Sequence, residues 1–350
     1  GITGSSGKTT VKEMLAGGLG QRFGEAAVSA TAGKCNNHIG LPLTLLKLTG
    51  AHRYAVIEMG MSHFGELAQL TQIARPDVAL VNNALRAHVG CGFDGVGDIA
   101  KAKSEIYQGL NADGLALIPC EDANAAVFQT ASKAFKQHTF GVGQGDIHAE
   151  NIVLQPLSCA FDLVRGEERA AVLLPVPGKH NIHNAVAAAA LALAAGLRLQ
   201  EVSDGLQSFA NIKGRLQIKS GIKNAVVLDD TYNANPDSMK AALDVLAALP
   251  EPRVFVMGDI GELGEDESAA MHAEVGAYAR DKGIEAAYFV GGFSAAAAEA
   301  FGGRGLWFAD KDPLIQVLLH DLPEQAHVLV KGSRFMKMEE VVQALQGAEK

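Results

Sequence analysis

The sequence TGSSGKTT occupies residues 3–10, close to the first residue of the chain. Small residues in such a run let successive backbone N–H groups converge on phosphate oxygens, while Lys8 would reach the β- and γ-phosphates and the Thr9 hydroxyl would ligate Mg²⁺. The strict phosphate-loop pattern requires glycine where this chain has Ile2, so the spacing here is the shorter G-x-x-G-K-T. The alternative is a glycine-rich helix N-terminus without a ligand. A helical pattern continues from Val11, and we therefore favour the phosphate-binding interpretation.

Apolar strand patterns and helical patterns alternate through the first half of the chain. Strands are predicted at residues 54–57, 78–81 and 115–118, with helices at 65–73 and 99–110. This alternation predicts an α/β fold with a largely parallel sheet covered by helices.

The pattern then changes to short alternating stretches between residues 143 and 176, which predict a small antiparallel part. A long alanine-rich helix is predicted at residues 181–195. Because a phosphate loop normally follows a strand, we expect the first strand to be truncated and the natural N-terminus to be missing.

A second α/β alternation begins after residue 214. Its predicted strands lie at residues 225–228, 254–257, 287–290 and 328–330, and its predicted helices at 238–249, 267–282 and 313–320. The periodicity is interrupted at residues 211–215. We therefore predict one domain at residues 1–213 and a second at 214–350, both of ordinary size.

Composition excludes several classes of protein. The net charge is −9 without a long basic run, which argues against a surface that wraps nucleic acid. No apolar run reaches the roughly 20 residues that a membrane span needs. The cysteines are scattered without C-x-x-C spacing, so we expect reduced thiols in a cytoplasmic protein and neither a disulfide framework nor a zinc site. They are Cys35, Cys91, Cys120 and Cys159.

Two charged residues of the first half are candidate site residues, and Glu58 is suited to hold a cation. Glu58 ends an apolar strand pattern, where ligands bind in open α/β sheets, although a solvated acid would have the same pattern. Lys103 shares one helical stripe with Ile99 and Ile106, whereas Lys101 points elsewhere. A lysine on an apolar stripe is costly unless it is paired, modified or lining a site, but a lysine with only its stem buried is commoner.

Three further side chains of this half carry hydrogen-bonding groups. His88 follows a predicted strand and is either a metal ligand or a solvated loop histidine. Asn181 and Asn184 lie three residues apart near the start of the alanine-rich helix, so both amides share one face. Helix N-capping would account for one asparagine but not for both.

Two polar loops follow predicted strands of the second half. They are LDDTYNANPDS at residues 228–238 and KGSR at residues 331–334. Capping of the next helix explains Asp237 or Ser238, but not so many polar groups at two strand ends. These loops indicate a second binding surface.

Together these motifs resemble the Mur ligases, which build the stem peptide of peptidoglycan. The resemblance runs through the whole chain in family order: TGSSGKTT (3–10), CNNHIGLPLTLL (35–46), EMGMSHFGEL (58–67), RPDVALVNN (75–83), AKSEIY (102–107), PGKHNIHN (177–184), GRLQ (214–217), DDTYNANPDSM (229–239), MGDIGELG (257–264) and VKGSR (330–334). The stretch at residues 82–93 departs from the family's usual Pro-Ala-His-Leu loop.

The resemblance implies a fold and a set of site residues. The fold is a central ATPase domain followed by a Rossmann-like C-terminal domain, without the uridine-nucleotide-binding domain that precedes them in the family. The phosphate loop would comprise Thr3, Gly4, Ser5, Ser6, Gly7, Lys8, Thr9 and Thr10, with further ATP contacts from Asn181, Asn184, Arg215 and Asp230. Magnesium would be held by Thr9, Glu58, His88 and Lys103, the lysine being carbamylated by CO₂. The amino substrate would lie near Asn233, Asn235, Lys331, Ser333 and Arg334.

The activity implied is ATP-dependent formation of a C–N bond through an acyl phosphate, with Lys8, Glu58, His88 and Lys103 as catalytic groups. The branch of the family with the best-matching motifs adds D-alanyl-D-alanine to UDP-N-acetylmuramoyl-tripeptide, and we expect a monomer that binds no nucleic acid and has no membrane span. The alternatives are another muramyl ligase, a folylpolyglutamate synthetase or, from a different class, a P-loop ATPase switch. The loops at residues 228–238 and 331–334 favour the first activity.

Overall fold

The computed structural model describes residues 1–347 and divides into two compact units. The first unit comprises Gly1–Leu85 and Gly92–Ala210. The second comprises Arg86–Cys91 and the chain from Asn211 onward. Within the described residues, no helix combines the length and apolar character that a membrane crossing requires.

The first unit contains nine strands and seven α-helices among its described residues. The strands are β1 (Ile2–Thr3), β2 (Val28–Ala30), β3 (Tyr54–Val56), β4 (Val78–Val81), β5 (Leu115–Pro119), β6 (Lys136–Gly141), β7 (Ile147–Leu154), β8 (Cys159–Arg165) and β9 (Glu168–Leu174). The helices are α1 (Lys8–Phe23), α2 (Gly40–Leu45), α3 (Glu66–Ala74), α4 (Val96–Ser104), α5 (Ala125–Ala131), α6 (Lys179–Ala194) and α7 (Leu199–Gln207).

The main sheet of this unit has the order β1-β4-β5-β6-β7-β8-β9. Neighbours from β1 to β7 are parallel, and β7, β8 and β9 form an antiparallel meander. The prediction of a mostly parallel sheet with a small antiparallel part is confirmed. Strands β2 and β3 pair with each other in parallel, and a bridge between Ile2 and Glu58 joins the end of β3 to β1.

Small residues allow the helices of this unit to pack closely. The alanine-rich α6 is buried along most of its length and packs against α1 and α7. A Cβ added at Gly205 of α7 would come within 2.9 Å of the Gly18 Cα of α1. Glycine at this crossing therefore sets the distance between the two helices, and α1 carries the phosphate loop at its start.

The predicted helix at residues 99–110 is instead α4, which ends at Ser104, followed by a 3₁₀ turn over Glu105–Gly109. The Glu105 carboxylate accepts hydrogen bonds from the Gly65 and Ala68 amides at the start of α3. A side chain at Gly109 would overlap Thr71 of α3. Packing against α3 thus replaces the second half of the predicted α-helix by a tighter 3₁₀ turn. The apolar periodicity alone did not indicate this change.

The second unit contains a six-stranded sheet in the order β10-β11-β15-β12-β13-β14. Its strands are β10 (Gln217–Ser220), β11 (Val226–Asp230), β12 (Arg253–Gly258), β13 (Ala286–Val290), β14 (Gly305–Phe308) and β15 (His327–Lys331). Its helices are α8 (Pro236–Ala247), α9 (Glu265–Asp281), α10 (Ser294–Phe301), α11 (Lys311–Asp321) and α12 (Glu339–Gln346). All neighbours from β11 to β14 are parallel, and β10 is an antiparallel edge strand.

The four strands predicted for this half are all present, and they are the buried ones. The edge strands β10 and β14 were not predicted. Strand β10 has the sequence QIKS with one apolar residue, whereas β14, GLWF, is apolar but partly exposed. Strands β11, β15 and β12 are adjacent and parallel, so the loops that follow them meet at one edge of the sheet.

Candidate active site

The phosphate loop of the first unit lies between β1 and α1 and is braced by Asn82 and Asn83, which follow β4. The Asn82 side chain donates to the Ser6 carbonyl at 2.9 Å. Asn83 accepts from the Ser5 amide through its carbonyl (3.1 Å) and from the Ser6 amide through its side chain (2.9 Å). These two amides are therefore directed at Asn83 in this structure, and the contact of the loop with phosphate stays a prediction.

Gly7 ends the loop in the left-handed region, with φ 81°. A side chain at this position would overlap the amides of Asn184 and Asn82, which hydrogen-bond to each other at 3.0 Å. Both the backbone conformation and the space require glycine here. The Lys8 ammonium, at the first residue of α1, donates to the Gly4 carbonyl at 2.6 Å.

Thr9 and Glu58 are brought together at the start of α1. The Thr9 hydroxyl donates to Glu58 Oε2 at 3.0 Å, and the Asn36 amide donates to Oε1 at 2.9 Å. Glu58 is only 3% exposed, so it is not the solvated strand-end acid that the sequence left open. A buried carboxylate beside a hydroxyl at a phosphate loop is a suitable oxygen donor set for a hard cation.

Lys103 lies on the buried face of α4 and is 2% exposed, whereas Lys101 is exposed and pairs with Asp98. The prediction from the apolar stripe is confirmed. Within residues 1–347, Lys103 makes no hydrogen bond and no ion pair. Burial, and then the nearby charge of Lys8, lower the pKa of Lys103 well below its usual 10.5. The chain thus holds a buried amine that favours its neutral, nucleophilic form.

Asn181 and Asn184 lie on the face of α6 that is turned toward the loop. Asn181 donates to the Pro177 carbonyl at 2.8 Å and accepts from Asn184 at 3.2 Å. Neither caps the helix, because the N-cap residue is Gly178 without a side-chain bond. The shared face predicted from their spacing is present, and their contact with ATP stays a prediction.

His88 belongs to the second unit, whereas Glu58 and Lys103 belong to the first. Its Nδ1 atom lies 3.7 Å from Glu262 Oε2. The same segment is held by Arg86, which pairs with Asp237 at 2.6 Å and with Glu274 at 2.8 Å. The role of His88 as a metal ligand stays a prediction.

The loop after β11 is organised by Lys331, at the end of β15. The Lys331 ammonium donates to Asp230 Oδ2 at 2.6 Å and to the Asn233 carbonyl at 3.0 Å. Asp230 also accepts from the Leu216 amide at 3.2 Å. The Arg215 guanidinium stacks 4.3 Å from the centroid of the Tyr232 ring. The sequence-predicted residues Arg215, Asp230, Asn233 and Lys331 therefore form one cluster.

Other predicted substrate residues contribute to the folding of these loops. Asn235 caps α8 by accepting from the Ser238 amide at 2.8 Å. The Ser333 hydroxyl accepts from the Gly261 amide at 2.8 Å and donates to the Ala234 carbonyl at 3.4 Å, so it joins the loops after β11, β12 and β15. Arg334 is exposed and pairs with Glu339 at 2.7 Å.

Comparison with known proteins agrees with this arrangement of two units. Residues 2–192 match the Mur ligase middle domain, and residues 214–334 match the Mur ligase glutamate ligase domain. The first match alone covers more than half of the chain. This chain belongs to the Mur ligase family.

Individual Mur ligases are similar over nearly the whole chain. The UDP-N-acetylmuramoyl-tripeptide–D-alanyl-D-alanine ligase of Escherichia coli (strain K12) is 44% identical over 349 residues, which cover 99% of this chain and 76% of that enzyme. A crystal structure of MurF from Acinetobacter baumannii superposes with a TM-score of 0.92 at 39% identity, covering 99% of this chain and 75% of that one. The MurF ligase of Thermotoga maritima in complex with ADP has a TM-score of 0.85 at 26% identity, covering 99% and 78%.

The residues of this Mur ligase fit a magnesium ion only in part as they stand. Among residues 1–347, no three His, Cys, Asp or Glu side chains are grouped to hold a metal. Glu58 and Thr9 supply two oxygen donors, and the buried Lys103 amine supplies none that an Mg²⁺ ion prefers. A carbamate on Lys103 would put an anionic oxygen donor in place of the neutral amine, and its formation stays a prediction.

Several residues of this site did not emerge as candidates from the sequence. Asn82 and Asn83 brace the phosphate loop, and Asn36 holds Glu58. A signal existed for the first pair, because both follow β4, the strand that pairs with β1. The role of Asn36 depends on a contact across 22 residues that no local pattern reports.

Proposed function

We propose that this Mur ligase adds D-alanyl-D-alanine to UDP-N-acetylmuramoyl-tripeptide in the cytoplasm, as a monomer, with release of ADP and phosphate. The substrates are taken from the name of the Escherichia coli relative, which is 44% identical over 99% of this chain. The reaction belongs to peptidoglycan synthesis. We also propose that the domain boundary lies at residues 213–214, between the two family matches.

The observation that carries the proposed ATP chemistry is the Thr9–Glu58 pair at the phosphate loop. A hydroxyl and a buried carboxylate joined at 3.0 Å lie at the N-terminus of α1, one residue after Lys8. This arrangement places oxygen donors for a cation beside helix amides and an ammonium that favour phosphate. It supports nucleotide-dependent phosphoryl transfer more than a binding function without chemistry.

The proposed reaction has two steps. An oxygen of the tripeptide carboxylate attacks the γ-phosphorus of ATP, the bond to the bridging oxygen breaks, and ADP leaves with that electron pair. The product is an acyl phosphate, which is far more reactive toward amines than a carboxylate. The amine of D-alanyl-D-alanine then attacks the acyl carbon, loses a proton, and inorganic phosphate leaves as the amide forms.

The chain's own residues would support the first step by position and charge. The residues of the loop at 3–10 would surround the phosphates, and the Lys8 ammonium would offset the negative charge that spreads over the transferring group. Mg²⁺, held by Thr9, Glu58, His88 and a carbamate on Lys103, would supply further charge neutralisation. The carbamate would form when the neutral Lys103 amine adds to CO₂ and loses one proton.

The second unit would contribute the remaining contacts. Arg215 and Asp230, together with Asn181 and Asn184 of the first unit, are proposed to contact ATP. Asn233, Asn235, Lys331, Ser333 and Arg334 are proposed to line the site of the amino substrate. The hydrogen bonds of Lys331 to the Asn233 carbonyl and of Ser333 to the Ala234 carbonyl give both side chains a role in shaping those loops as well.

The test is release of inorganic phosphate by the protein at its natural length, with UDP-N-acetylmuramoyl-tripeptide and ATP. We expect phosphate release that depends on D-alanyl-D-alanine and matches amide product one to one. Release that ignores the dipeptide would contradict the ligase and favour an ATPase switch. If the tripeptide is inactive, release with a shorter muramyl precursor and a single amino acid would indicate a sister muramyl ligase, and release with a folate and glutamate would indicate a folylpolyglutamate synthetase.

A further inference from the structure

The main chain of Glu58 is held by a residue outside the groups assigned above. The Glu58 amide donates to Thr31 Oγ1 at 2.9 Å. Thr31 directly follows β2, is 1% exposed, and donates its own amide to the Val56 carbonyl of β3 at 3.0 Å. The hydroxyl of Thr31 thus continues the pairing of β2 with β3 up to Glu58.

Thr31 is itself held by a buried lysine of α1. The Lys12 ammonium donates to the Thr31 carbonyl at 2.6 Å and pairs with Glu13 at 2.6 Å. Lys12 is 2% exposed, and it lies three residues after Thr9 on the same helix. Helix α1 is therefore connected to Glu58 in two ways. Thr9 of α1 donates directly to the Glu58 carboxylate, and Lys12 of α1 holds Thr31, which accepts from the Glu58 amide.

We propose that Thr31 is a positioning residue for Glu58 and that Lys12 holds Thr31 in place for this purpose. The proposal deepens the proposed function, because it depends on Glu58 as a ligand of the nucleotide-bound metal. Mg²⁺ requires near-ideal octahedral geometry, so a small shift of one carboxylate weakens its binding. Without the hydroxyl, the buried Glu58 amide has no acceptor and the backbone must move to find one.

The position of this hydroxyl allows a matched set of variants. Thr31→Val keeps the shape and removes the acceptor, whereas Thr31→Ser keeps the acceptor and removes a methyl group. Thr71→Val is the control, since Thr71 is equally buried but donates to the Ile106 carbonyl at 2.7 Å, away from Glu58. The direct probe is the Kd of Mn²⁺ in the presence of ADP, measured by electron paramagnetic resonance without turnover. The melting temperature of each variant is recorded alongside.

We expect Thr31→Val to weaken Mn²⁺ binding about tenfold, in the range found for residues that support metal ligands. Thr31→Ser should stay within about twofold of the parent protein, and Thr71→Val should lower the melting temperature while leaving the Mn²⁺ Kd unchanged. An unchanged Kd in Thr31→Val, or an equal loss in Thr71→Val, would overturn the positioning role. A parent protein that binds no Mn²⁺ with ADP would instead contradict the metal site of the proposed function.

Lys12 provides a second, independent variant if Thr31→Val does not fold. Lys12→Met removes the donor to the Thr31 carbonyl, and Lys12→Arg retains one. We expect weaker Mn²⁺ binding in the first and recovery in the second. Equal Mn²⁺ affinity in Lys12→Met and the parent protein would overturn the proposal.

Discussion

Replacement of Gly7 by alanine tests whether the phosphate loop is held in one conformation by the asparagines behind it. Gly7 adopts φ 81°, a region that alanine enters at a cost of roughly 1–2 kcal/mol. Its added methyl group would also overlap the Asn184 amide and the Asn82 amide. The Asn82–Asn184 bond at 3.0 Å and the Asn184–Asn181 bond at 3.2 Å would then be broken or stretched.

The expected loss of stability is the sum of the backbone strain at residue 7 and the loss of the two hydrogen bonds. Each lost hydrogen bond contributes about 1 kcal/mol, so together with the backbone strain Gly7→Ala should destabilise the first unit by about 3–4 kcal/mol. This is a large part of the total stability of an ordinary domain. Because the same movement displaces the start of α1, we expect ADP affinity to fall as well.

Gly17→Ala is the matched control in the same helix. Gly17 is exposed within α1, and an added Cβ would meet no atom within 4 Å. Alanine at an exposed helical position should stabilise by roughly 0.5–1 kcal/mol, so the two substitutions should have opposite signs. Urea unfolding and calorimetric titration with ADP measure both effects. A Gly7→Ala protein with parent-like stability and ADP affinity would refute the reasoning, as would equal destabilisation by Gly17→Ala.

Three further predictions follow from single contacts. Lys103→Ala should abolish ligase activity, and added short carboxylates should partly restore it. The control Lys101→Ala, on the exposed face of α4, should leave the activity nearly unchanged. An active Lys103→Ala protein would contradict the proposed carbamate on Lys103. Lys331→Met should destabilise the second unit by about 3 kcal/mol in urea unfolding, because it leaves the partly buried Asp230 carboxylate without its cation. A change below about 1 kcal/mol would contradict this and show that the pair behaves as a solvent-exposed one. Burial lowers the pKa of His272 below its usual 6.5, so the unfolded chain binds a proton that the folded chain does not. The free energy of unfolding should therefore fall as the pH drops below about 6.5. This group contributes at most about 1.4 kcal/mol per pH unit to that fall. His272→Gln, which can keep the bonds to the Ile260 amide and the Ser268 carbonyl, should reduce that slope, and an identical pH profile would contradict this assignment.

Much of the fold was predictable because its information is local. Parallel strands that are buried on both faces appear in the sequence as continuous apolar runs. Such runs predicted five of the strands, namely β4, β5, β12, β13 and β15. The edge strand β10 was missed because its sequence, QIKS, has a single apolar residue, whereas β14, GLWF, was missed although its residues are apolar. The break between α4 and the following 3₁₀ turn was missed because its cause is packing against α3.

The candidate site likewise has one part that the sequence predicts and another that depends on tertiary contacts. The sequence by itself determined the phosphate loop and the burial of Lys103, because helical periodicity specifies which side of α4 faces the core. Only the tertiary structure decided that Asn83 takes the Ser5 and Ser6 amides, that Asn36 and Thr31 hold Glu58, and that His88 belongs to the second unit. These contacts join residues far apart in the chain at the ends of paired strands. Their partners are chosen by the register of the sheets, which forms only when the whole unit has folded.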